Sequence, residues 1–133
     1  MSQLKNKSEL NRAAADYLQK QSYFPSVIHC TYYSCVQLMK HILIFTLGKS
    51  EAEIQNEVRN SNSGSHEVII NNINDHLRSN NKDWKTFNTN INQLKKLRVI
   101  ADYENTQIDF GKGNDSIRLS DVVLKHLRSN IKI

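Results

Sequence analysis

Apolar residues recur along this chain at three- and four-residue intervals, a periodicity that predicts helices and gives strands little support. The first such window carries Leu10, Ala13, Ala14, Tyr17 and Leu18. That is the i, i+3, i+4, i+7, i+8 stripe of an amphipathic helix, with Ser8 placed to cap it and an end near Gln21. Pro25 suits the first turn of a second helix, where its missing N–H would have had no partner, and Gly48 suits a stop after Leu47. Such a helix is roughly 33 Å long. Its apolar residues, from Val27 and Ile28 through Tyr32, Cys35, Val36 and Met39 to Ile42, Leu43 and Leu47, cover more than one face. The second helix is therefore expected at the centre, with His29, Tyr33, Gln37 and Lys40 on its wetter edge.

Residues 49–65 are polar and include Ser61, Ser63, Gly64 and Ser65, which predicts a long, mobile connection holding one short helix about Glu51–Val58. Ser65 can cap a third helix carrying Ile69, Ile70, Ile73 and Leu77. A fourth runs from about Asp83 with Trp84, Phe87, Ile91, Leu94, Leu97 and Ala101 on one side. A fifth begins near Ser116 or Ser120 and buries Val123, Leu124, Leu127 and Ile131. The peptide His-Leu-Arg-Ser-Asn occurs at His76–Asn80 and again at His126–Asn130. Each copy falls at a predicted helix end, where cations face the negative end of the dipole and a polar residue stops the helix. The expected fold class is all-α: one domain over residues 1–133, an antiparallel up-and-down bundle of four main helices plus a fifth.

Composition narrows the setting. With 133 residues, 38% of them hydrophobic, there is enough chain for one core. The formal charge of +5 attracts polyanions weakly, which is compatible with RNA or nucleotide phosphates. Cys30 and Cys35 are the only cysteines and point about 140° apart on a helix, so they read as small buried hydrophobes. Without a disulfide framework, a charged leader or an apolar run of membrane-spanning length, the expectation is a cytoplasmic protein with no membrane contact.

Pattern and chemistry conflict at one place. Spacing the fourth helix at 100° per residue puts Arg98 inside the arc of Phe87, Ile91, Leu94 and Ala101, with Asp102 one turn on. A cation facing a core needs an acceptor, because leaving it unpaired costs about 3–5 kcal/mol. Asp102 at i+4 is the nearest candidate, and an Arg98–Asp102 pair that only braces the bundle is the simplest reading of these two residues.

Leu97-Arg98-Val99-Ile100-Ala101-Asp102-Tyr103 resembles the Leu-Arg-x-x-Ala-Asp-Tyr signature of a prokaryotic subgroup of the HEPN family (higher eukaryotes and prokaryotes nucleotide-binding), and Tyr32-Tyr33-Ser34 is similar to that subgroup's Tyr-Tyr-Ala or Tyr-Tyr-Ser. His66, opening the third helix after a loop, fits the same pattern. The match runs from about Leu10 to Leu127. It implies a helical bundle that forms a homodimer through its fourth helices and serves a stress or defence module of toxin-antitoxin type, often beside a minimal nucleotidyltransferase. In ribonuclease members an Arg is followed four to six residues on by a catalytic His, and the RNA 2′-hydroxyl attacks its own phosphate without a metal.

Here the positions after Arg98 that would hold that His are Tyr103, Glu104 and Asn105. Carboxylate and phenol, with ordinary pKa values near about 3.9 and about 10, are poorly matched to proton transfer at neutral pH. The expectation is therefore a binding role. Arg98, Lys95, Asp102 and Tyr103 would engage a nucleotide, an RNA phosphate or a nucleotidyltransferase partner, and Tyr33 and Arg98 would lie at the protein interface. The alternatives are a ribonuclease in which Asp102 or Tyr103 replaces the base, and a structural interaction module. No cofactor is expected, and no metal site, since the five histidines include no pair at helical ligand spacing. Gly111-Lys112-Gly113 reads as a turn. Lys125, Arg128 and Lys132 form an i, i+3, i+7 basic stripe, ordinarily a solvated face, that could touch a phosphate backbone.

Overall fold

The computed structural model describes residues 2–133. Six helices follow one another, with no strand among the described residues: α1 (Gln3–Lys20), α2 (Phe24–His41), α3 (Glu51–Asn60), α4 (Ser65–Ser79), α5 (Trp84–Tyr103) and α6 (Phe110–Asn130). No helix among the described residues is long and apolar enough to cross a membrane. The architecture is an all-α bundle. α2 lies at its centre, packed against α1, α4, α5 and α6, and nearly its whole inner surface is apolar: Val27, Ile28, Tyr32, Cys35, Leu38 and Met39 are all inaccessible to solvent. Pro25 sits in its first turn. Its path continues through a π-helical turn, Ile42–Thr46, before Gly48 takes the left-handed conformation with φ of 73°.

The α1–α2 contact differs from the expected one. Leu10 and Tyr17 are 62% and 65% exposed, and the face turned to α2 and α6 holds Ser8, Asn11, Arg12, Ala15 and Leu18. Ser8 is not a cap; Ser2 caps α1. The Ser8 hydroxyl donates to the Ser34 carbonyl at 2.6 Å, and Ser34 returns a bond to the Ser8 carbonyl at 2.9 Å. Two small side chains thus let the helices approach closely while their hydroxyls stay satisfied. Asn11 donates to Gln37, and Arg12 to Asp121 on α6. Polar pairing between helices fixed this register, which an apolar stripe could not reveal.

Three boundaries also move. α4 is capped by Gly64 and contains Ser65. The 49–65 connection carries a full ten-residue helix, closed by a capping box in which Ser50 and Glu53 bond each other's backbone N–H groups. α6 starts at Phe110 behind an Asp109 cap, so Gly111 and Gly113 are helical and not a turn. Gly113 marks a close approach of α6 to α1 and α2: a Cβ there would meet Gln19 Oε1, the end of a flexible side chain, at 2.3 Å and Phe24 Cδ1 at 3.3 Å. The two His-Leu-Arg-Ser-Asn copies do end helices, by a shared device. Asn80 and Asn130 each donate their side-chain amide to the carbonyl of their own histidine four residues back, at 2.8 Å.

Candidate functional site

Along α5 the line of wholly buried residues runs Phe87, Ile91, Leu94, and the next position on that line, one turn further, is Arg98. Its side chain is 14% exposed. The guanidinium meets α2 through Tyr33, whose hydroxyl accepts from Nη2 at 3.0 Å. Its central carbon lies 5.5 Å, 5.6 Å and 5.4 Å from the ring centres of Tyr32, Tyr33 and Tyr103. Three aromatic rings around one cation form a cation–π enclosure, an interaction that strengthens when water is excluded.

Asp102 completes the charge balance. Its Oδ2 lies 3.0 Å from Arg98 Nε, yet the N–H is not aimed at that oxygen, leaving Nε buried without a hydrogen-bond acceptor. The contact is an ion pair by charge and distance but an imperfect hydrogen bond, so the guanidinium keeps unused donor capacity. The same Asp102 oxygen is 3.5 Å from His29 Nδ1, placing the carboxylate between a cation and an imidazole.

Two histidines join this cluster from outside α5. His66, in the first turn of α4, shares a hydrogen bond between Nδ1 and the Tyr32 hydroxyl at 3.0 Å, and its ring centre is 5.5 Å from that of Tyr33. Burial lowers its proton affinity, and the positive charges of Arg98 and Lys95 lower it further. The imidazole is therefore neutral at pH 7. Tyr32 is held as the phenol, since burial pushes its pKa well above the ordinary value. His29, half exposed, packs its ring against Tyr33 at 4.5 Å.

Of the residues singled out from sequence, Arg98, Asp102, Tyr103 and Tyr33 come together. Lys95 does not stand free beside them: its ammonium is 2.8 Å from Glu67 Oε2 on α4, which neutralises it. Tyr103 is 71% exposed, a rim residue with its ring turned to the guanidinium. The histidines are what sequence order concealed. No His stands four to six residues after Arg98, but packing of α2 and α4 against α5 brings His29 and His66 to the same place. The only advance signal was the position of His66 at the start of a helix after a polar loop.

The arrangement offers a fixed cation with a carboxylate beside it, a neutral imidazole held by Tyr32, and an exposed ring at the mouth. Such a set can hold an anionic oxygen and accept a proton from a hydroxyl beside it. No protein-family model matches this chain, and no curated protein or solved structure is significantly similar to it.

Proposed function

We propose that this is a HEPN-like helical protein whose Arg98 cluster engages the phosphate of a nucleotide or RNA, or a minimal nucleotidyltransferase partner, within a prokaryotic stress or defence module. One observation carries the reading: the guanidinium is drawn into an enclosure of Tyr32, Tyr33 and Tyr103 while Nε remains without an acceptor. A cation that only braced the bundle would be expected to direct its donors at Asp102. A phosphate oxygen can accept from the Nη N–H groups that Tyr33 and Asp102 leave free at the exposed edge of the guanidinium, and guanidinium–phosphate bonding is charge-assisted and directional. Substituting Arg98→Lys keeps the charge and loses the fork. Binding of a short single-stranded RNA or a nucleoside triphosphate, read by fluorescence anisotropy, is expected to weaken at least about tenfold in both Arg98→Ala and Arg98→Lys. Unchanged binding to RNA, nucleotide and partner in a folded Arg98→Ala protein sinks the proposal.

A second reading, metal-independent RNA cleavage, is favoured by His66 and not by Asp102 or Tyr103. In the tautomer that donates Nδ1–H to the Tyr32 oxygen, Nε2 carries a free lone pair. That nitrogen takes the proton of a ribose 2′-hydroxyl as its oxygen bonds phosphorus; the bond from phosphorus to the 5′-oxygen breaks, and that oxygen takes a proton from solvent water, leaving a 2′,3′-cyclic phosphate, a 5′-hydroxyl and an imidazolium that returns its proton to the hydroxide formed. Arg98 stabilises the dianionic phosphorane. Cleavage in the presence of chelator is then expected to be lost in both His66→Gln and Arg98→Ala, while His66→Gln retains RNA binding. Absence of chelator-resistant cleavage by the wild-type protein leaves the binding reading alone.

A further inference from the structure

Binding and cleavage as proposed above use Arg98 and His66 and leave His29 without a part. It stands one turn before Tyr33 on α2, and its ring is held from two sides. The imidazole packs on the Tyr33 ring, tilted by 36° with centres 4.5 Å apart. Its Nδ1 lies 3.5 Å from Asp102 Oδ2, close enough to pair when the ring carries a proton. A carboxylate against Nδ1 orients an imidazole and leaves Nε2 to exchange a proton with a ligand, the part that Asp plays for His in hydrolytic triads. The side chain is half exposed, so a ligand reaches it without any rearrangement of the bundle.

The two histidines meet surroundings of opposite charge. His66 faces the cations Arg98 and Lys95, and the carboxylate of its neighbour Glu67 is occupied by Lys95. His29 faces the carboxylate of Asp102. Both rings touch Tyr33, that of His66 with centres 5.5 Å apart, and the Tyr33 hydroxyl accepts from Arg98 Nη2 at 3.0 Å. A phosphate bonded to the guanidinium beside that hydroxyl therefore sits next to both imidazoles. Two titratable groups of one kind in contrasting environments are how an active site divides the work of acid and base.

We propose that His29 is the general acid of the cleavage reaction, its Nε2–H protonating the departing 5′-oxygen in place of solvent water; the inference rests on the cleavage reading above. His66 Nε2 takes the proton of the 2′-hydroxyl as the 2′-oxygen bonds phosphorus. The bond from phosphorus to the 5′-oxygen breaks, and that oxygen takes the proton of His29. The products are the 2′,3′-cyclic phosphate, the 5′-hydroxyl, a neutral His29 and a protonated His66. Hydrolysis of the cyclic phosphate reverses the roles. Water gives a proton to His29 Nε2 as its oxygen bonds phosphorus, the bond to the 2′-oxygen breaks, and that oxygen takes the proton of His66. A 3′-phosphate is left, and both imidazoles are back in their starting states.

The test compares two leaving groups with the full chain in the presence of chelator. One substrate is a dinucleoside 3′,5′-phosphate, whose alkoxide needs a proton to depart; the other is the 3′-(4-nitrophenyl phosphate) of the same nucleoside, whose nitrophenolate does not. His29→Gln is expected to slow the dinucleotide at least about hundredfold and the nitrophenyl ester less than about threefold. His66→Gln should slow both alike, because the 2′-hydroxyl must lose its proton in either. Added imidazole should restore dinucleotide cleavage to His29→Ala and leave its nitrophenyl ester rate unaltered. Retained helical circular dichroism confirms that each variant is folded. If the wild-type protein cleaves both substrates and His29→Gln loses both equally, or loses neither, the acid role is overturned and His66-dependent cleavage stands with water as the acid. A wild-type protein that cleaves neither substrate overturns the cleavage reading, and this inference with it.

Discussion

At the residue scale, the central feature is a histidine kept neutral by its surroundings. His66 loses proton affinity through burial, and Arg98 and Lys95 add to the effect, so the folded protein disfavours the imidazolium that the unfolded chain forms readily below its ordinary pKa of 6.5. The sign follows from linkage: the unfolded state binds more protons below that value, so stability is complete above it and declines as pH falls through 6.5 toward the lower folded pKa. Glu67 is engaged by Lys95 and so does little to offset this. Chemical denaturation midpoints are expected to fall between about pH 7.5 and 5.5, and to fall less in His66→Gln. His41, also lowered by burial and by Lys5, contributes in the same direction, so the decline in His66→Gln is reduced without vanishing. A slope identical to wild type would show that His66 titrates normally. Arg98 and Asp102 were legible from the sequence because their i, i+4 spacing is local. The approach of His66 and His29 was not, because it depends on how three helices pack.

At the element scale, spacing alone located five long helices and the short α3, and it failed wherever polar groups set a contact. In α1, Leu10 and Tyr17 point outward because Ser8, Asn11 and Arg12 find partners across the interface, so the side with larger apolar residues was not the buried one. The first turns of α6 were missed because they hold two glycines and an exposed Phe110, with no apolar stripe to mark them. Gly113 gives this packing a quantitative test. Alanine there displaces the end of the Gln19 side chain and its bond to the Phe110 carbonyl, but gains about 1 kcal/mol of helix propensity over glycine. Gly113→Ala is therefore expected to change stability by less than about 1 kcal/mol in urea denaturation. Gly113→Val, which cannot be accommodated by Gln19 alone and presses on Phe24, should cost about 1–3 kcal/mol. Equal effects of the two would mean that α1, α2 and α6 are not closely apposed at this point.

At the scale of the whole molecule, the question is whether one copy suffices. Arg98, Asp102 and Tyr103 from α5, Tyr32, Tyr33 and His29 from α2, and His66 from α4 are all brought together within a single chain, so the elements of the cluster do not require a partner to meet. The outer face of α5 beside them is different. Lys95, Lys96, Val99 and Ile100 line an open apolar depression there, and Val99 is 39% exposed, only one residue from Arg98. Pairing of two copies across this face, the arrangement implied by the resemblance to HEPN proteins, would cover that depression and set two Arg98 clusters near each other. Sedimentation at micromolar concentration is then expected to give twice the 15.4 kDa chain mass, and Val99→Glu, which puts a like charge on both sides of the contact, should return the monomer. The two ways in which a ligand can use the cluster separate in that variant. If each copy binds phosphate alone, monomeric Val99→Glu keeps Arg98-dependent RNA binding at unchanged affinity per chain. If the ligand spans both clusters, affinity drops with dissociation and recovers as protein concentration drives pairing. A wild-type mass of one chain across the whole concentration range rules out the composite site and confines recognition to the single guanidinium and the residues of its own copy.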